Sequence, residues 1–180
     1  TETAAILNQI ADLNDGRKAK AATIKDSLTT ESVENQKTVG NSVDSAAHEA
    51  ASSPTNNLTE PTQAQKEVGN YAKGHVRIAG LDISIENPEG STRSGSDKGG
   101  KPWSIKMRSH YGYILGTIGK DKDHIDVFVK PGTAEDYAGP VFIIDQKNAA
   151  GGFDEHKVML GWGSQDAAVL AYKANYTPGW

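Results

Sequence analysis

The sequence contains no cysteine, which excludes disulfides, thiolate metal ligands and cysteine nucleophiles. Any metal bound by this chain must therefore be held by oxygen or imidazole ligands. No apolar run is long enough to cross a bilayer, and the first residues resemble no secretory signal. The formal net charge of -4 gives no electrostatic reason for general binding to nucleic acid or to an anionic membrane. We therefore expect a soluble protein.

Aromatic residues are also absent from the first part of the chain, up to about Glu60. A segment with no aromatic surface to bury seldom forms its own core. Apolar residues recur there at helical spacing, while residues 46–61 have the turn residues and polarity of a linker. We predict that residues 1–64 form a polar arm, partly helical or disordered, which is either a solvated tether or packs on a neighbour. Residues 65–180 are predicted to form the folded domain.

Short apolar or alternating segments follow one another from residue 75 onward. Ala79-Gly80 joins the first two predicted strands, and this turn sequence predicts a hairpin. The strands are predicted at 75–78, 81–85, 103–107, 111–115, 125–129, 141–144 and 157–160. Residues 87–100 are predicted to be loop, and residues 164–166 to cap a final helix. The predicted class is α+β, with a closed or nearly closed β-barrel core and flanking helices.

The densest group of acidic residues lies directly before the apolar strand at 125–129. On an extended segment Asp121 and Asp123 point the same way, and Asp126 begins the strand, so three carboxylates are expected to converge. Such carboxylates repel one another unless a cation lies between them, and oxygen ligands suit Mg²⁺ or Mn²⁺. Taken alone, the string is also explained by an acidic surface turn.

A tyrosine-rich string precedes the acidic one, and together they resemble the signature of soluble type I inorganic pyrophosphatases. The two strings are Tyr111-Gly112-Tyr113-Ile114 and Asp121-x-Asp123-x-x-Asp126-Val127. Other segments resemble that family in the family's own order: residues 85–88, 100–107 and 155–157, and the pair Tyr172-Lys173. One such match arises easily by chance, whereas several in sequence do not.

A closer resemblance is to the pyrophosphatase-like domain found inside large polyvalent proteins of phages and conjugative elements. It is carried by residues 74–78, 85–95 and 153–161, and it covers roughly residues 69–180. The fold that it implies is a pyrophosphatase-like, OB-like barrel. The activity that it implies is hydrolysis of inorganic pyrophosphate, or of a related phosphoanhydride, with Mg²⁺ or Mn²⁺ as the cofactor.

The resemblance implies three kinds of site residue, each assigned by its position in the matching strings. The implied metal ligands are Glu86, Asp121, Asp126 and Glu155, with Asp126 bridging two ions. The implied catalytic residues are Asp123, as the base, together with Tyr111 and Lys157. The implied substrate-binding residues are Arg93, Lys106, Tyr111, Lys157, Tyr172 and Lys173. Taken singly these residues would be solvated or structural, but their order and spacing together favour a metal and diphosphate site.

The chain also departs from the family pattern. Lys122 replaces the middle glycine of the acidic string, and His124 replaces the usual proline. The aspartate expected upstream of Glu155 has two candidates, Asp145 and Asp154. Three histidines adjoin site residues and are left open as metal ligands or proton shuttles: His110, His124 and His156.

The resemblance to polyvalent proteins implies that the chain is a piece of a longer polypeptide. The start at Thr1 and the end at Trp180 lead us to the same expectation. The expected partners are a diphosphate substrate and the rest of that polypeptide, in the host cytoplasm after delivery or in the virion. The alternative function is a structural or delivery segment that keeps the fold without its activity. The complete set of self-repelling carboxylates favours the enzyme.

Overall fold

The computed structural model describes residues 42–97 and 99–176, so the helical pattern near the start of the chain lies outside the described residues. In this part of the chain there are three helices and eight strands. The helices are α1 (Val43–Glu49), α2 (Gln63–Glu67) and α3 (Gln165–Ala174). The strands are β1 (Gly74–Ile78), β2 (Leu81–Asn87), β3 (Thr92–Ser96), β4 (Pro102–Lys106), β5 (His110–Ile114), β6 (Ile125–Val129), β7 (Val141–Lys147) and β8 (Phe153–Leu160).

Six of the strands form one sheet in the order β1-β2-β5-β6-β8-β7. Strands β6 and β8 pair in parallel, and the other neighbours pair antiparallel. The predicted hairpin of β1 and β2 is present, and its two turn residues, Ala79 and Gly80, have φ of 59° and 80°. Two left-handed residues in succession give the turn whose twist matches that of the strands. The predicted cap of α3 is also present, because Ser164 Oγ accepts from Ala167 N at 3.3 Å.

The sheet carries a separate apolar cluster on each face. Val127 and Val129 of β6 belong to one cluster, together with side chains of α1, and Phe128 belongs to the other. The alternation along β6 produces this division, because successive side chains point to opposite faces. The second cluster includes Met159 of β8 and is closed by Ala168 of α3.

The prediction of a closed or nearly closed barrel is wrong. In the described part of the chain the sheet is open, with β1 and β7 as its edges, and β3 and β4 form a two-stranded ribbon of their own. A barrel requires every strand to have two partners. The ribbon cannot act as a barrel wall, since its residues alternate between exposed and half-buried and none is fully buried.

The prediction that residues 87–100 are loop is also wrong in part, because they contain β3. This strand consists of Thr, Arg, Ser and Gly and has no apolar periodicity. Its backbone is held by the full ladder with β4, from Thr92 opposite Lys106 to Ser96 opposite Pro102. A ladder of this kind does not depend on an apolar face, so residue pattern alone did not reveal the strand.

Helix α1, in the segment predicted to be an arm, packs on β1 and β2. Val43, Ala46 and Ala47 are buried in the same apolar cluster as the sheet residues. The packing is close enough that a Cβ on Gly74 of β1 would lie 1.7 Å from the Ala46 carbonyl oxygen. The end of the predicted arm therefore contributes to the core. The domain boundary at residue 65 stays a prediction.

The structure shows no helix, in residues 42–97 and 99–176, that has the length and apolar character needed to span a membrane.

Candidate active site

A group of polar side chains lies on the same face of the sheet as the second apolar cluster. Phe128 of β6 and Met159 of β8 are buried in that cluster, and the residues two positions before them are Asp126 and Lys157. Because side chains alternate along a strand, Asp126 and Lys157 lie on the same face as these buried residues. Tyr111 of β5 is the register partner of Phe128 and lies diagonally across from Asp126.

Asp126 is the centre of this polar group. Its Oδ2 accepts hydrogen bonds from the Tyr111 hydroxyl and from Lys157 Nζ. Lys157 Nζ is also 2.8 Å from Glu155 Oε2, and the Lys157 side chain is only 4% exposed. A buried ammonium is costly unless it is paired, so the two carboxylates compensate for its burial. In return, Lys157 holds Asp126 and Glu155 close to each other.

The ribbon of β3 and β4 covers the Tyr111 side of the group. Arg93 Nη2 donates to the Tyr111 hydroxyl at 3.1 Å, and the guanidinium lies 4.3 Å from the centre of the Tyr111 ring. Trp103 contacts the same guanidinium, with its ring centre 5.2 Å away. These cation–π contacts place a positive charge beside Asp126.

Burial and charge fix the protonation of Tyr111 and Arg93. Burial, and then the Asp126 charge, raise the pKa of Tyr111 well above its usual value, so this hydroxyl keeps its proton and acts as a donor. Burial alone would lower the pKa of Arg93, but the neighbouring Tyr111 and Asp126 outweigh it and raise that pKa. Arg93 therefore stays charged.

Gln146 of β7 lies on the far side of Glu155. Its Nε2 donates to Glu155 Oε1 at 2.8 Å and, at 3.4 Å, to Asp154 Oδ2. Its Oε1 accepts from the hydroxyls of Tyr172 at 2.7 Å and Tyr176 at 3.1 Å. Burial raises the pKa of Tyr172 to about 12, so this tyrosine is a proton donor at neutral pH.

Glu86 of β2 approaches the group from the side opposite to Gln146. Burial raises the pKa of this carboxyl, Lys73 opposes the shift, and Asp126 adds to it. Lys73 Nζ lies 3.9 Å from Glu86 Oε1 and 4.5 Å from the centre of the Tyr71 ring. Tyr71 hydrogen-bonds to Glu86, and its own pKa is raised by burial and by the charge of Glu86.

Asp121 and Asp123 lie on an exposed turn between β5 and β6. The expectation of an extended segment is wrong here, because Gly119 N donates to Asp123 O at 2.7 Å and closes a turn. Lys122, with φ of 76°, reverses the chain at this point. Asp121 Oδ1 accepts from Asp123 N at 3.1 Å, so its side chain stabilises the turn.

A model of the inorganic pyrophosphatase family matches residues 63–180, well over half of the chain. The chain belongs to the inorganic pyrophosphatase family. None of the curated proteins and none of the solved structures matches it. All eleven residues that the sequence predicts for the site lie within the matched residues 63–180.

The oxygen donors of this pyrophosphatase-family site fit a divalent cation by their chemistry. Asp126 and Glu155 both contact the Lys157 ammonium, so a positive charge lies between them. Carboxylate oxygens are the ligands that Mg²⁺ and Mn²⁺ prefer. Within the described ranges, however, no three acidic or histidine side chains are grouped closely enough to form a metal site.

The remaining predicted residues lie at the margin. Lys106 ends β4 and Lys173 belongs to α3, and both are exposed. Neither takes part in the hydrogen bonds shown among the described residues of the polar group. Tyr172 joins that group through Gln146. The roles of Lys106 and Lys173 as phosphate ligands stay predictions.

The three histidines left open by the sequence each contact another part of this pyrophosphatase-family fold. His110 Nδ1 accepts from Glu89 N at 3.1 Å, and its Nε2 lies 2.8 Å from Asp44 Oδ1 of α1. His124 stacks on the Tyr113 ring with centroids 5.0 Å apart. The third histidine contacts one of the two aspartates left undecided, since His156 Nδ1 lies 2.8 Å from Asp145 Oδ1. The other aspartate, Asp154, contacts Gln146 instead.

Sequence reasoning missed Gln146, Tyr176, Tyr71 and Lys73. The strand of Gln146 was predicted to end at residue 144, whereas β7 continues to Lys147 and pairs Gln146 with Glu155. A longer strand prediction would have included Gln146, but strand pattern does not show that it lies opposite Glu155. For Tyr71, which precedes β1, no pattern in the sequence indicated a contact with Glu86.

Proposed function

We propose that this member of the inorganic pyrophosphatase family hydrolyses inorganic pyrophosphate, or a related phosphoanhydride, with Mg²⁺ as its metal. Mn²⁺ offers the same oxygen chemistry and is expected to substitute. The observation that carries the proposal is the connected group around Asp126. Arg93, Tyr111 and Lys157 supply two fixed positive charges and a protonated hydroxyl beside a pair of carboxylates.

The cationic residues would bind the substrate. Arg93 stays charged and faces Tyr111, so the pair offers an N–H donor and an O–H donor to phosphate oxygens. Lys157 adds an ammonium that a phosphate can share with Asp126. Lys106, Tyr172 and Lys173 would complete the phosphate contacts at the exposed margin. Such positioning supplies most of the catalysis in phosphoryl transfer.

The carboxylates would hold the metal. The residues that would supply the carboxylate ligands are Asp126, Glu155, Glu86 and Asp121. These residues would hold Mg²⁺, whose chemistry would be to neutralise phosphate charge and to lower the pKa of a bound water. Asp123, exposed on the turn, would accept the proton that the attacking water loses. Its exposed side chain leaves it accessible to water and substrate.

The direct test is phosphate release from pyrophosphate by the full chain in millimolar Mg²⁺. Asp123→Asn is expected to lower turnover about a hundredfold or more, because the amide keeps the shape but cannot take the proton. Calorimetric Mg²⁺ affinity should stay near the wild-type value in that variant and fall in Asp126→Asn. Asp136→Asn, another exposed aspartate, is the matched control and should leave both unchanged.

The outcomes test the assignment of the base separately from the enzymatic function. Equal turnover by wild type and Asp123→Asn would show that the base is misassigned. A folded chain that binds Mg²⁺ but releases no phosphate would contradict the enzymatic function and favour a structural or delivery role for the fold.

We also propose that the chain is part of a longer phage or mobile-element protein that acts in the host cytoplasm or travels in the virion. The support is the resemblance of residues 74–78, 85–95 and 153–161 to the polyvalent-protein group. An antibody against the folded domain should detect a band well above 19.1 kDa in cells that carry the element or in purified virions. A band at that mass alone would contradict this context.

A further inference from the structure

Gln146 connects the C-terminal helix to Glu155, and the function proposed above gives it no role. The residue is 4% exposed, and both ends of its amide are hydrogen-bonded. Two hydroxyls, from Tyr172 and Tyr176, donate to Oε1, and Nε2 donates to two carboxylates. A flipped amide would turn Oε1 toward the carboxylates, so acceptor would face acceptor. The orientation of this amide is therefore fixed by its neighbours.

We propose that Gln146 is a positioning residue of the pyrophosphatase site, which holds Glu155 in the orientation needed to bind Mg²⁺. This inference rests on the proposed function. Glu155 is held at both oxygens, with Oε1 bonded to Gln146 and Oε2 close to Lys157. A carboxylate fixed at both oxygens keeps its plane and direction, whereas one held only by Lys157 can rotate. Partners that orient a metal ligand in this way tune metal affinity.

The same amide transmits the position of α3 to the sheet. Tyr172 and Tyr176 stand on or just after α3, with ring centres 4.7 Å apart, and both pack beside Phe128. Their hydroxyls set the position of Gln146, Gln146 sets that of Glu155, and Lys157 joins Glu155 to Asp126. A continuous path of hydrogen bonds and ion pairs therefore runs from α3 to the central carboxylate.

An amide suits this position better than a carboxylate. Glu155 and Asp154 both face Nε2, so the side chain between them must donate hydrogen bonds. A glutamate there could accept from the tyrosines but could not donate to the acids, and it would add a negative charge beside theirs. Glutamine alone among side chains of this length offers two donors and one acceptor without charge.

The test compares the full wild-type chain with Gln146→Met, which keeps the length of the side chain and removes its hydrogen bonds. We expect the calorimetric Kd for Mg²⁺ alone to rise 10- to 100-fold, with a matching rise in the Mg²⁺ needed for half-maximal phosphate release. Tyr172→Phe leaves the bond from Tyr176 to Gln146 and the bond from Gln146 to Glu155 in place. Its Kd for Mg²⁺ should therefore stay within about twofold of wild type while its KM for pyrophosphate rises.

Phe142→Leu is the control for a merely structural effect. Phe142 lies on the same strand as Gln146 and packs against the same apolar cluster. This variant should lower Tm without changing the Kd for Mg²⁺. If Gln146→Met does not fold, Gln146→Asn, whose amide is too short to reach Glu155, is expected to show the same loss of Mg²⁺ affinity.

A Mg²⁺ affinity within about twofold of wild type in the folded Gln146 variant would overturn the inference, however far Tm falls. A wild type that binds Mg²⁺ but releases no phosphate would contradict the proposed function and leave the Mg²⁺ comparison to decide on Gln146. A wild type that binds no Mg²⁺ would overturn both.

Discussion

Asp126 and Lys157 are direct register partners across the parallel pair of β6 and β8, and their side chains form an ion pair on the face that buries Phe128 and Met159. The sheet itself therefore sets the position of the pair. A shift of β8 by one residue against β6 would turn the Lys157 side chain to the opposite face, into the apolar cluster packed under α1. Correct pairing of β6 with β8 is therefore required for the ion pair to form.

Asp126→Asn should destabilise the fold as well as the site. The Lys157 ammonium, 4% exposed, would keep Glu155 as its remaining counter-charge. Removing one partner of a buried pair costs about 3–5 kcal/mol, and we expect about 2–3 kcal/mol here because Asp126 is partly exposed and Glu155 remains. Asp123→Asn, on the exposed turn, should change stability by less than about 0.5 kcal/mol. Urea unfolding of both variants at neutral pH provides the measurement, and equal losses would contradict the ion-pair argument.

Continuous apolar segments were predicted well from the sequence. Strand β6 occupies the predicted residues 125–129, and β5 is displaced by one residue from its prediction. The open sheet was not predictable in this way, because strand pattern gives the number of strands and not their partners. Strand β3 was missed since its Gly- and Ser-rich residues show no periodicity.

The contacts of the candidate site were likewise predicted only in part. The resemblance to a family pointed to Tyr111, Asp126 and Lys157, and these side chains contact one another. It could not point to Gln146, because this contact partner is chosen by the fold: Tyr172 and Tyr176 reach it across 26 and 30 residues. The extended segment expected at Asp121 and Asp123 is instead a turn closed at Gly119, which the residue pattern did not reveal.

Lys122→Gly should stabilise the protein. Lys122 has φ of 76°, a left-handed conformation that costs a side-chain-bearing residue about 1–2 kcal/mol and glycine little. Part of the gain is offset by the greater freedom of glycine in the unfolded chain, so we expect an increase of about 0.5–1 kcal/mol in the free energy of unfolding. Lys122→Ala removes the same charge but keeps the strain, and it should give no gain. Equal gains from the two variants would assign the effect to charge instead.

Gly74→Ala tests whether α1 belongs to the folded core. The new Cβ would lie 1.7 Å from the Ala46 carbonyl oxygen, so the backbone of α1 would have to move. Overpacking of this kind costs about 1–3 kcal/mol, and thermal unfolding should show a clear fall in Tm. Gly163→Ala is the matched control, because its Cβ would meet no atom within 4 Å and its stability should change little. If Gly74→Ala melts like wild type, α1 does not pack on the sheet as described.

Glu86 combines a proposed role in metal binding with a cost to stability. Burial raises its pKa above the ordinary value of 4.5, with Lys73 opposing and Asp126 adding to the shift. In the pH range between the ordinary and the raised value, the folded state binds more protons than the unfolded state. Stability therefore falls as pH rises through that range, which is the opposite of the usual behaviour of a salt-bridged carboxylate.

Glu86→Gln should remove this loss of stability. The substitution also removes a proposed metal ligand. Because the amide has no charge to bury, the variant should be at least as stable as wild type at about pH 7, and its advantage should shrink as the pH is lowered toward about 4.5. Its Mg²⁺ affinity should fall about tenfold or more, since one proposed ligand loses its charge. Urea unfolding across this pH range, with Mg²⁺ calorimetry at neutral pH, measures both effects, and the exposed Glu67→Gln serves as the control for each. A variant less stable than wild type at neutral pH would show that the contacts with Lys73 and Tyr71 outweigh the burial of the charge.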